Sequence, residues 1–142
     1  MDTIAQLIES KGGHVWSIEP DQKVITALEK MAEKNSGALA VVKNDLLVGI
    51  ISERDYTRKV VLDGKSSSTT HVREIMTNKV CCASLDQKIS ECVGIMDKGG
   101  FRHMPVLEDG VLVGMLSLKD LVRVLLLNNE RLIHDLESYI NA

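Results

Sequence analysis

Aromatic side chains are nearly missing from this chain: one Trp, two Tyr and one Phe make up 3 % of 142 residues. With 44 % hydrophobic residues, any core has to be assembled mostly from Val, Ile, Leu, Met and Ala. No block of five or six like charges occurs, and 17 basic against 20 acidic residues leave a net charge of −3. That balance excludes the basic footprint of a nucleic-acid binder and the charged tail of a disordered segment. Apolar runs such as Val124-Leu125-Leu126-Leu127 are far too short to span a bilayer, so no membrane partner is expected. MDTIAQLIES carries no basic region before an apolar stretch, so no secretory signal is read and a cytoplasmic location is expected. The three cysteines, Cys81, Cys82 and Cys92, agree with a reducing compartment. No Cys-x-x-Cys occurs, and His14, His71, His103 and His134 lack zinc-like spacing, so no metal is expected. Neither a phosphate-cradling Gly-rich motif nor a nucleophile–base set is present, which argues against an enzyme.

What the chain does have is a repeat. GIISERD at Gly49 returns as GMLSLKD at Gly114, an offset of 65 residues. At that offset the segment from Val15 to Val60 lies over the segment from Val80 to Leu125 without a gap. Identical pairs include Asp21/Asp86, Gln22/Gln87, Lys23/Lys88, Met31/Met96, Gly49/Gly114, Ser52/Ser117, Asp55/Asp120 and Arg58/Arg123. The chain is therefore a tandem duplication. Halves of about 60 residues bury a poor fraction of their surface, so the copies are expected to pack on each other.

Each copy has the same grammar. A short β segment (Val15 to Ile18; Val80 to Ala83) leads to a turn at Pro20-Asp21 or Leu85-Asp86. Asp21 and Asp86 are expected as helix N-caps. Val24, Ala27, Leu28 and Met31, like Ile89, Cys92, Val93 and Met96, then recur at helical spacing. Apolar runs Ala38 to Val42 and Met104 to Leu107 meet tight turns and return through Leu46 to Ile51 and Val111 to Leu116, which is hairpin grammar. After Ser52 and Ser117 the period is helical again. The unit is β-α-β-β-α, twice. A leading helix is expected over Thr3 to Ser10, and a trailing helix from Leu118 to Ile140 with an interruption near Asn128-Asn129. The expected organisation is a first repeat with its leading helix at 1–65, a linker at 66–78 with a docked helical turn at Val72, Ile75 and Met76, and a second repeat with its tail at 79–142.

Gly-x-x-Ser-x-x-Asp at a strand-to-helix junction has two readings. Structurally it is a capping box behind a glycine that permits close backbone approach. Functionally, helix-start amides attract anions, and a carboxylate in the first turn can accept both hydroxyls of a ribose. Charge-assisted hydrogen bonds of about 1.5–3 kcal/mol each, with burial of an adenine face, suffice for a roughly micromolar site.

The duplicated unit, the Gly-x-x-Ser-x-x-Asp endings, the FRHMPVL stretch and VREIMT before the second copy together resemble a tandem pair of CBS domains, or Bateman module, across nearly the whole chain. SERDYTRKVV is similar to small stand-alone CBS-pair proteins, with Ser52 where these carry threonine. The resemblance implies an α/β (α+β) fold of two repeats packed sheet to sheet about a pseudo-twofold axis, with terminal helices. It implies clefts for an adenosine-bearing ligand: AMP, ADP, ATP or NAD(H), with S-adenosylmethionine less favoured. One cleft would use Ser52, Asp55 on the ribose, Arg54, Ile50, Cys81 and Arg73. The other would use Ser117, Asp120 and Met115 with Trp16, Ser36 and Gly37. Arg102 and His103 stand where basic side chains reach phosphates in the family.

The copies are not equivalent: Ser36-Gly37-Ala38 in the first stands against Phe101-Arg102-His103 in the second. One stronger site is expected, with preference for the Asp55 cleft. Bland alternatives stand beside each role. Trp16 can fill a core gap, His103 can be a backbone-satisfied histidine, and Arg58 and Arg123 can be solvated i,i+3 partners of the acids. A redox role for Cys81-Cys82 and a phosphosite in DGKSSSTT are both disfavoured. The expected function is a non-catalytic nucleotide-sensing module, homodimeric through the faces of Leu121, Val124 and Leu125 and the tail LIHDLESYI, acting on an unidentified protein. The alternative is a dimerisation scaffold with empty clefts.

Overall fold

The computed structural model describes residues 1–12 and 14–141. Its elements run α1 (Ile4–Lys11), β1 (Ser17–Ile18), α2 (Val24–Lys34), β2 (Ala38–Lys43), β3 (Leu46–Ser52), α3 (Glu53–Tyr56) with a following π-helical turn Thr57–Val61, α4 (Val72–Ile75), β4 (Ala83–Ser84), α5 (Ile89–Gly99), β5 (His103–Glu108), β6 (Val111–Ser117) and α6 (Leu118–Ile140). The α+β class and the duplicated β-α-β-β-α order read from the sequence are those of the structure. Two three-stranded sheets form, ordered β1-β2-β3 and β4-β5-β6. β1 runs parallel to β2, β4 runs parallel to β5, and β2 pairs antiparallel with β3.

Turn chemistry closes the hairpins. Asn44 (φ 51°) and Asp45 (φ 63°) join β2 to β3, and Asp109 (φ 50°) and Gly110 (φ 80°) join β5 to β6. Consecutive positive φ values give the primed turn whose twist matches paired strands. Helices α2 and α5 end on left-handed residues, Asn35 and Gly100, that turn the chain into the next strand.

Helix starts differ from expectation. The residues flanking α2 and α5 are Lys23 and Lys88, neither of which makes a side-chain cap. Asp21 and Asp86 are not the N-caps. The first amides are met by backbone instead: Val24 N–H donates to the Thr70 carbonyl at 2.8 Å and Ile89 N–H to the Asp2 carbonyl at 2.9 Å. With main-chain acceptors in place, no side-chain cap is required. Asp21 is left for Arg73, whose Nη1 donates to it at 2.9 Å.

These bonds belong to a symmetrical arrangement. Val72 and Arg73 amides donate to the Gln22 and Pro20 carbonyls, while Ile4 and Ala5 amides donate to the Gln87 and Leu85 carbonyls, each at 2.9 Å. Segment α4 thus closes the first repeat, and α1 closes the second. The chain divides into two compact units, one of Met1–Gly13, Cys82–Glu108 and Gly114–Ala142, the other of His14–Cys81 and Asp109–Val113. In the second-named unit, Ile18, Val24, Met31, Leu39, Val41, Ile51, Val60, Val72 and Ile75 form one buried cluster. In the first-named unit, Ile4, Ile89, Cys92, Met96, Met104, Leu116 and Leu121 are each at most 1 % exposed.

The trailing helix departs from expectation as well. α6 runs unbroken for 23 residues, and Asn128 Nδ2 donates to the Met1 carbonyl at 2.9 Å. The two asparagines lower helix propensity only slightly, which does not break a helix of that length.

Candidate functional site

Strand β3 delivers Ser52 in extended conformation to the start of α3. There Ser52 Oγ accepts from the Asp55 amide at 3.2 Å, and Asp55 Oδ2 accepts from the Ser52 amide at 2.9 Å and from Ser52 Oγ at 3.1 Å. The capping box expected from the sequence is complete. Lys59 Nζ lies 3.0 Å from the other carboxylate oxygen and donates to the Ile75 carbonyl at 2.9 Å. Lys59, one position beyond Arg58, is therefore the residue that holds Asp55. Its i,i+4 spacing made it legible in the sequence. Glu53 N–H donates to the Gly37 carbonyl at 3.1 Å, bringing the Ser36-Gly37 turn beside the motif.

Gly49, three residues before Ser52, is a point of close approach. A Cβ there would stand 2.8 Å from Met76 Sδ and 2.9 Å from the Thr77 carbonyl oxygen. That approach lets Ile50 exchange both backbone hydrogen bonds with Thr77, at 2.9 Å each, while its side chain stays half-buried. Arg54 is exposed on α3, Cys81 is exposed, and Arg73 is directed to Asp21. Trp16 packs against the core cluster, its ring stacked 5.6 Å from His14 and covered by Lys34 Nζ at 4.4 Å.

The second motif is built alike and neutralised differently. Ser117 Oγ accepts from the Asp120 amide at 3.1 Å, and Leu118 N–H donates to the Arg102 carbonyl at 2.8 Å, the counterpart of the Glu53–Gly37 bond. Lys11, the last residue of α1, places Nζ 2.6 Å from Asp120 Oδ2 and 2.8 Å from the Met115 carbonyl. Gly114 receives α1 closely, since a Cβ there would stand 2.5 Å from Ile8 Cδ1. Burial pushes the Asp120 carboxyl up, but hydrogen bonds from Lys11 and Ser117 and the Lys11 charge outweigh it and hold the group below its ordinary 3.8. His103, half-buried on β5, is held below 6.5 by burial first, then by the Lys11 charge, with Asp120 opposing and Arg102 adding. Lys11, Arg102, His103 and Asp120 therefore share one electrostatic neighbourhood. Nothing in the repeat signalled Lys11, which lies 109 residues from Asp120 in the chain.

Chemically, each motif end brings together a carboxylate, a lysine and a serine hydroxyl, groups able to bind a diol or an anion, while the amides of Glu53, Asp55, Leu118 and Asp120 are taken up by acceptors within the fold. A separate open depression of about 690 Å³ sits at β1 and the β2–β3 turn, lined in part by Ser17, Glu19, Gln22, Lys30 and Asp45. It lies at the far end of β3 from Ser52 and holds none of the motif residues. Among the described residues no cluster of His, Cys, Asp or Glu could hold a metal ion. No helix of the described residues is long and apolar enough to cross a membrane.

Comparison with known proteins places the fold. The CBS-domain profile matches residues 10–62 and 72–127. The chain is 36 % identical over 150 residues to the CBS domain-containing protein CBSX3, mitochondrial, of Arabidopsis thaliana, covering 99 % of this chain and 72 % of that one. A CBS-domain protein of Burkholderia ambifaria superposes with a TM-score of 0.84 at 42 % identity, covering 87 % of this chain and 93 % of that one. The CBS domain pair of MJ0100, solved with 5-methylthioadenosine and S-adenosyl-L-methionine, shares the fold at 22 % identity and a TM-score of 0.75, covering 87 % of this chain and 94 % of that one. With both repeats matched and a relative this similar along its length, the chain belongs to the CBS-domain family, as a tandem pair.

Proposed function

We propose that this CBS pair is a non-catalytic sensor that binds an adenosine-containing nucleotide at its two Ser-x-x-Asp ends and passes the occupancy on to a partner protein. CBS pairs are regulatory modules, and one protein of this fold holds adenosine compounds. The observation that carries the reading is the recurrence, at both strand-to-helix turns, of a serine that caps the helix start and an aspartate three residues on whose carboxylate is paired with one lysine. A ribose diol is the small polar group that two carboxylate oxygens take up together, and the lysine charge suits a phosphate beside it. AMP, ADP, ATP and NAD(H) are the favoured ligands, S-adenosylmethionine less so. Asp55, Ser52, Ile50, Arg54, Arg73 and Cys81 serve the first site. Asp120, Ser117, Met115, Arg102 and His103 serve the second. The protein acts in the cytoplasm, in keeping with its cysteine usage.

A ligand that binds only the folded chain raises its melting temperature, and more so as its concentration exceeds Kd. A thermal-shift panel of AMP, ADP, ATP, NAD, NADH and S-adenosylmethionine, repeated on Asp55→Ala and Asp120→Ala, tests this. At least one compound should stabilise the protein, and one or both variants should abolish the shift. A flat panel would sink the sensor reading.

Leu121 and Val124, expected in the dimer face, are buried in the core at 0 and 8 % exposed, so a dimerisation role rests instead on the outward residues of α6. Leu126, Leu132, Ile133, Leu136, Tyr139 and Ile140 of α6 are all more than half exposed, between 52 and 83 %. Apolar surface of that extent marks an interaction face, and we propose that a second copy covers it. Light scattering at micromolar concentration should give the mass of a dimer; a monomer would refute this.

A further inference from the structure

We propose that Lys11 is the specificity-determining residue of the Asp120 site and makes that site demand a phosphate on its ligand. The inference rests on the nucleotide reading above. Lys11 Nζ spends two of its three protons, on Asp120 Oδ2 at 2.6 Å and on the Met115 carbonyl at 2.8 Å. The carboxylate assigned to the ribose therefore already has an occupant, supplied by this chain.

An incoming diol has to share or take over that oxygen. An unphosphorylated nucleoside displaces the ammonium and returns nothing to it, leaving a cation near His103, which already senses both the Lys11 and the Arg102 charge. A nucleotide completes an exchange of partners: Asp120 passes from ammonium to diol, and Lys11 passes from carboxylate to phosphate. Lys11 keeps 39 % of its side chain exposed, so the swing is sterically open. Charge-assisted hydrogen bonds of about 1.5–3 kcal/mol separate the two outcomes, which corresponds to roughly tenfold discrimination or more.

The first repeat has no such feature from α1. Its lysine, Lys59, sits on the turn following α3 and is tied to Ile75, and Ser36-Gly37 stand where Arg102-His103 stand in the second repeat.

The test isolates the second site with Asp55→Ala and measures Kd for adenosine and for AMP by calorimetry, in the otherwise unaltered full chain and with Lys11→Met, Lys11→Gln and Lys11→Arg. The parent should prefer AMP by roughly tenfold or more. Lys11→Met and Lys11→Gln should collapse that preference by tightening adenosine and weakening AMP, and Lys11→Arg should restore it. Melting curves confirm that each variant is folded, and two neutral replacements guard against failure of either one. An AMP-to-adenosine preference unchanged by both neutral variants overturns the proposal while leaving the sensor reading intact. If the Asp55→Ala parent binds neither compound while the unmutated protein binds AMP, the Asp120 site is not a nucleotide site and the proposal falls alone. If the unmutated protein binds neither compound, the proposal falls, and the sensor reading falls with it only where the whole thermal-shift panel is flat as well.

Discussion

The two repeats start from the same seven-residue motif and finish it with different parts. In the first, Asp55 is bound by Ser52 through a complete capping box and held by Lys59 from the next helical turn. In the second, Asp120 receives its lysine from α1. The glycines repeat the pattern: Gly49 faces the chain at Met76-Thr77, whereas Gly114 faces the end of the Ile8 side chain. Duplicated sequence therefore secures the same backbone and leaves the charge partner open. The first repeat is completed by the segment that follows it, the second by the segment that precedes the first.

The largest expected effect tests the glycine pair. Gly49→Ala drives a methyl to within 2.9 Å of the Thr77 carbonyl oxygen, a main-chain atom that accepts from the Ile50 amide in a residue whose own amide donates back to Ile50. It should cost about 1–3 kcal/mol in urea denaturation. Gly114→Ala meets only the Ile8 side chain, most closely its flexible end at Cδ1, and should cost visibly less. Equal losses would erase the contrast.

The serine caps provide the opposite comparison. Ser52 and Ser117 accept from the amide three residues on at 3.2 and 3.1 Å. Ser52→Ala and Ser117→Ala should each cost about 1 kcal/mol, close to each other. A large disparity in their urea midpoints would mean that the caps, too, have diverged.

The smallest effects are in the pH dependence and belong to the second repeat. The folded Asp120 carboxyl is held below 3.8, so its stabilisation is complete above that pH and is lost as pH falls through the lower folded value. The pair with Lys11 is partly exposed and screened, worth at most about 1 kcal/mol. The stability gap between the unmutated protein and Lys11→Met should therefore narrow as the pH is lowered below 3.8. His103 has the related sign: its folded imidazole is held below 6.5, so the unfolded chain takes the proton first and stability declines as pH falls below 6.5. His103→Gln should flatten that limb of the profile, and an unchanged limb would exclude the histidine as its source.

Much of this was legible beforehand because it is local or periodic. The ungapped offset disclosed the duplication, helical spacing disclosed α2 and α5, and Asn44-Asp45 and Asp109-Gly110 disclosed the hairpins. Ser52 and Asp55 lie three residues apart, so their mutual hydrogen bonds follow from the start of one helix. The expected caps at Asp21 and Asp86 failed for a non-local reason: the acceptors that displace them, the Thr70 and Asp2 carbonyls, come from distant segments. Lys11 was invisible for the same reason.

The chain's own order of residues determined that there would be two like units, where their strands, helices and turns fall, and which serine and acid stand together at each helix start, because hydrogen bonds between near neighbours and apolar periodicity act along the chain. Tertiary structure alone decided that Asp120 takes its cation from α1 and which segment closes each unit. Those are choices among groups distant in sequence, settled by packing such as that of Ile8 on Gly114 rather than by any preference of the residues themselves.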